Sequence, residues 1–102
     1  MLPINLELTE DLAAKLREIR LNNPIDGEIL TAENLSKAIG NNRAWMSQIE
    51  SRRLKKIRRE DIIKIYRCLY NTDDRTSEEK AESDLRDFII YKVELSDIQR
   101  KL

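Results

Sequence analysis

The stretch Leu30-Thr31-Ala32-Glu33-Asn34-Leu35-Ser36-Lys37-Ala38-Ile39-Gly40-Asn41-Asn42-Arg43-Ala44-Trp45-Met46-Ser47-Gln48-Ile49-Glu50 decides the fold. Thr31 is suited to cap a helix that sets Leu35, Ala38 and Ile39 on one side. Gly40 stops that helix, because glycine takes positive φ without a steric penalty. Only Asn41 and Asn42 separate this stop from a second apolar pattern, in which Met46 and Ile49 face inward at i, i+3. Asn42 is placed to cap that next helix. Two short helices joined by so tight a glycine turn have the spacing of a helix-turn-helix.

Further helices flank this pair. Thr9 precedes Glu10 and Asp11, whose charges suit a helix start, and Leu12, Leu16 and Ile19 follow as one stripe. Asn22-Asn23-Pro24 ends it, and Asp26-Gly27 marks a turn. Downstream, Glu60 and Asp61 open a helix striped by Ile62, Ile65, Tyr66 and Leu69. Asn71 to Arg75 is a polar link. Thr76 and Glu79 then have the spacing of a capping box for a last helix carrying Ala81, Leu85, Phe88 and Ile89. Val93, Leu95, Ile98 and Leu102 make the end apolar enough to dock. The expected fold is all-α: a helix-turn-helix domain of about four helices over residues 1–71, with a helical extension over residues 72–102.

Composition bounds the chemistry. The 102 residues hold one domain, and two Gly and two Pro favour helices over a strand-and-turn architecture. There is no histidine and one cysteine, Cys68, so imidazole catalysis, zinc knuckles and internal disulfides are excluded. Two glycines cannot form a phosphate-cradling loop. The carboxylates lie scattered on polar faces, so neither an enzyme nor a cofactor is expected. Cys68 is read as core filler. No apolar run approaches the ~20 residues of a membrane span. Met1 to Thr9 lacks the pattern of a leader peptide, and the expected location is the cytoplasm.

Net charge is zero, but it is unevenly spread. Residues 1–40 carry −3, residues 41–60 carry +5, and residues 61–102 carry −2. Six cations fall within eight positions: Arg52, Arg53, Lys55, Lys56, Arg58 and Arg59. The run is either a solvated charged loop or a patch of positive potential for a polyanion. Its place directly after the second helix of the pair favours the patch.

The segment from Leu12 to Tyr70 resembles the Xre, or Cro/repressor-type, helix-turn-helix family of phages and bacteria. Leu30 to Gly40 is similar to that family's opening and glycine turn, Arg43 to Glu50 to its recognition helix, and Ile62 to Leu69 to its closing helix. Thr31, Leu35, Gly40, Ile49 and Glu50 agree at fixed spacing. The chain departs from the pattern with Ala32 in place of a glutamine and Ser36 in place of an alanine. It also has no glycine in Ser51-Arg52-Arg53, and its loop over Asn22 to Ile29 is longer. The resemblance implies that Arg20 and Glu50 form a structural pair.

A helix of this kind fits the major groove of B-DNA. Arg43, Ala44, Ser47 and Gln48 lie off the Met46/Ile49 stripe and are the expected base-reading residues. Arginine can pair with guanine O6 and N7, glutamine with adenine N6 and N7, and the alanine can meet a thymine methyl. Arg52, Arg53, Lys55 and Lys56 are expected on phosphates, where they position the protein without reading sequence. For Asn42, capping alone or capping with a phosphate contact are both open; for Trp45, packing alone or an indole N–H on a phosphate.

The implied partner is double-stranded DNA, bound by a homodimer as a transcriptional repressor. The stripe after Thr76 is a candidate surface for dimerisation, for a protein partner, or for docking on its own subunit. Two other functions fit: an antitoxin that binds its own promoter, and a protein-interaction module that does not touch DNA.

Overall fold

The computed structural model describes residues 1–89; Val93, Leu95, Ile98 and Leu102 lie outside the described residues. Thr9 caps α1 (Glu10–Asn22), its hydroxyl accepting from the Leu12 N–H at 3.1 Å. Thr31 does the same for α2 (Ala32–Ala38), accepting from the Asn34 N–H at 3.1 Å. Next come α3 (Trp45–Glu50), α4 (Arg59–Tyr70) and α5 (Asp74–Leu85), and then a single 3-10 turn, Arg86–Phe88. Helices predominate.

The chain is nevertheless not all-α. Strand β1 (Asn5–Glu7) pairs antiparallel with β2 (Lys56–Arg58), placing Leu6 opposite Ile57. Both side chains are buried, whereas their neighbours along each strand are exposed. The ladder extends through Leu8 N–H to the Lys55 carbonyl at 3.0 Å and Arg59 N–H to the Ile4 carbonyl at 2.8 Å. A three-residue alternation is too short to stand out from a loop, and Ile57 is hidden among cations. The ribbon ties the segment that follows α3 to the N-terminal residues.

One core joins these elements. Leu2, Leu6 and Leu8 enter it from the N-terminal segment, Leu12, Leu16 and Ile19 from α1, and Leu35 and Ile39 from α2. Met46 and Ile49 come from α3, the four expected residues from α4, and Ala81 and Leu85 from α5. Ala38 is a correction. It is exposed, and Ser36 is the small residue turned inward. At the far end, the cap of α5 is Asp73 rather than Thr76, because its carboxylate accepts from the Thr76 N–H at 2.7 Å. That places Thr76 inside the helix, while Glu79 pairs with Arg75 at 3.2 Å. Phe88 and Ile89 fall past the end of α5 and are half-buried.

The loop from Asn23 to Leu30 contains a small hairpin. Ile25 and Glu28 exchange backbone hydrogen bonds around Asp26 and Gly27, both at positive φ. Asp-Gly satisfies that geometry at little cost.

Candidate nucleic-acid interface

Three devices fix α3. The first is the turn: Gly40 sits at φ +80°, its N–H bonds the Lys37 carbonyl, and the Asn41 N–H bonds the Ser36 carbonyl. This is a Schellman closure with glycine at its left-handed position. The second is Ser36, whose hydroxyl donates to the Ala32 carbonyl and accepts from the Met46 N–H, both at 2.8 Å. Met46 lies in the first turn of α3, where a backbone N–H has no partner within the helix. The N-cap of α3 is Ala44, without a side-chain hydrogen bond, and not Asn42 as expected; the Asn42 amide oxygen instead accepts from the Ala44 N–H at 2.8 Å, in the turn that precedes the helix.

The third device is electrostatic. Arg20 and Glu50, both nearly buried, meet side by side: Nε to Oε2 at 3.1 Å and Nη2 to Oε1 at 2.8 Å. The remaining Arg20 nitrogen, Nη1, donates to the Leu30 carbonyl at 2.8 Å. One guanidinium therefore locks α1, the entry to α2 and the end of α3 together. Asn41 also reaches Asp61 of α4 at 3.3 Å, anchoring the turn from behind.

With Met46 and Ile49 fully buried, the opposite side of α3 is left to solvent. Arg43, Ala44 and Ser47 are exposed and Gln48 is half-buried. A shallow depression is lined by Ala44, Ser47, Gln48, Ser51 and Arg53, so three of the four expected base-reading residues share one surface with a cation. The fourth, Arg43, immediately precedes Ala44 and does not line the depression. Ser51, not among the expected residues, lines the same depression, as its i+4 spacing from Ser47 requires. Trp45 is half-buried and packs against the core.

The cation-rich segment divides. At the end of α3, Arg52 N–H bonds the Ile49 carbonyl and Arg53 N–H the Gln48 carbonyl, repeating the closure seen at Gly40. Here the left-handed position, φ +59°, holds an arginine, at a cost of about 1 kcal/mol relative to glycine. Its Nε points to the Leu8 carbonyl at 3.4 Å. Arg58 binds Asp61 at 3.0 Å and Arg59 donates to the Leu2 carbonyl at 2.8 Å. The Asp61 hydrogen bond and charge, with that of Glu60, hold the Arg58 guanidinium above its usual pKa. Arg53, Lys55 and Lys56 are exposed, and their side chains have no hydrogen bond or ion pair among the described residues.

The chain matches no family model, no curated protein and no solved structure. No helix among the described residues is long and apolar enough to cross a membrane.

Proposed function

We propose that this chain is a sequence-specific double-stranded DNA-binding regulator of the Xre, Cro/repressor type, acting as a repressor. In this reading α2 and α3 are the helix-turn-helix and α3 is the recognition helix. The observation that carries it is the pairing of two features on one surface. On it Ser47 and Gln48 of α3, with Ala44 just before the helix, lie beside Arg53, whose side chain, like those of the exposed Lys55 and Lys56, has no internal partner among the described residues; the exposed Arg43 immediately precedes Ala44. The helix residues can meet base edges, and the cations can meet phosphates. A protein partner has no general need for that combination.

The chain acts as a homodimer on a pseudo-palindromic site. A six-residue helix reads few base pairs, and a two-fold pair doubles the site with half-sites about one helical turn apart. Selection of bound sequences from a random duplex pool tests the proposal. An enriched, two-fold-related motif is expected. Absence of any salt-sensitive binding to any duplex refutes it.

A further inference from the structure

We infer that Arg17, on α1 and outside the cation-rich segment, is a phosphate-contacting residue that extends the interface onto a second helix. The inference rests on the DNA-binding reading above. Its starting point is the charge around Glu50. Both carboxylate oxygens of Glu50 are engaged by Arg20, at 3.1 and 2.8 Å. Arg17 also approaches Oε1, but at 3.5 Å and with its side chain 63% exposed, against 10% for Arg20. One carboxylate thus faces two guanidinium groups, and the buried one already neutralises it. Arg17 is therefore the guanidinium that Glu50 does not need; on its other side it shares a hollow with Glu10 and Glu18, with neither of which it forms an ion pair.

Its position gives that charge a direction. Arg17 lines a shallow depression with Arg20, Ala32, Ser47, Glu50 and Ser51. Ser47 and Ser51 also line the depression that holds Gln48 and Arg53, so the two hollows adjoin along one face of α3. A phosphate lying beside α3 would therefore find Arg53 on one flank and Arg17 on the other. Exchanging the long contact to Glu50 for a phosphate leaves the Arg20–Glu50 pair intact. The other surface cation of α1, Lys15, leans toward Glu18 and the ring of Phe88 instead.

The test compares Arg17→Ala, Arg17→Lys and Arg75→Ala in the full chain. The probes are a duplex carrying the selected site and a random-sequence duplex, titrated over a range of salt. Arg75 is the control, because it is a 90% exposed arginine in an ion pair on α5. Arg17→Ala is expected to weaken both duplexes about tenfold near 0.1 M salt and to flatten the salt dependence by about one ion per subunit. Arg17→Lys should keep the salt slope, Arg75→Ala should change neither quantity, and none should shift the melting temperature appreciably. If wild-type protein binds DNA and Arg17→Ala behaves like Arg75→Ala, the inference fails alone. If wild-type protein binds neither duplex, the DNA-binding reading fails and takes the inference with it.

Discussion

The α2–α3 pair and the cation-rich segment after it are neighbours in sequence, yet they are held by opposite means. In the helix pair, Ser36 and Glu50 are turned inward and fix geometry, the latter through Arg20 of α1. Along the segment from Arg52 to Arg59, cations bonded to the protein (Arg52, Arg58 and Arg59) flank three left to solvent. Counting charge alone treats all six cations alike. Tracing partners separates Arg58 and Arg59, which serve the fold, from Arg53, Lys55 and Lys56, which are open to a partner.

The largest expected effect breaks the inward side. Glu50→Ala strands a nearly buried guanidinium and should lower unfolding free energy by about 3 kcal/mol in chemical denaturation. Ser36→Ala should cost about 1–2 kcal/mol by leaving the buried Met46 N–H without its acceptor. A loss well below this would mean that α3 does not need Ser36 to hold its first turn. At the junction of the two regions, Arg52→Gly should raise stability by about 1 kcal/mol, because the left-handed position no longer strains a side chain. If Arg52 also meets a phosphate, the same variant weakens DNA binding while it stabilises the fold.

The contrast within the segment is sharpened by two alanine variants. Arg58→Ala should lower the melting temperature, since Asp61 is buried and loses its cation. Lys56→Ala should leave the melting temperature unchanged and weaken every duplex alike. The reverse pattern would overturn the division.

The smallest effect concerns pH. Bonding to the Thr76 N–H holds the Asp73 carboxylate below its usual pKa. A depressed folded-state pKa contributes stability that is present above about pH 4 and is lost as pH falls through the folded value. The protection of the amides of residues 74–77, measured as exchange relative to the intrinsic rate at each pH, should therefore fall on acidification below pH 4, and less so in Asp73→Asn.

Much of the helical frame was legible. Thr9, Thr31 and Gly40 act locally, through caps and backbone sterics that the residue type alone dictates. The stripes of α1, α3 and α4 follow from periodicity. What escaped depends on contacts distant in sequence: Leu6 on Ile57, Arg59 on the Leu2 carbonyl, Arg58 as the cation of a buried Asp61. The cap at Asp73 escaped for a different reason: Thr76, three residues later, is also a residue type that caps helices, and its own N–H is the donor to Asp73. For the candidate site, the outward positions on α3 were readable from Met46 and Ile49, but the roles of individual cations were not.

The central claim is that α3 reads bases while the open cations hold the backbone. The direct measurement is the ratio of affinities for the selected site and a random duplex in wild type, Gln48→Ala and Lys56→Ala. The account predicts that Gln48→Ala lowers this ratio, through a loss of about 1–3 kcal/mol confined to the selected site, and that Lys56→Ala leaves it unchanged while weakening both. Equal proportional losses in the two variants would contradict it.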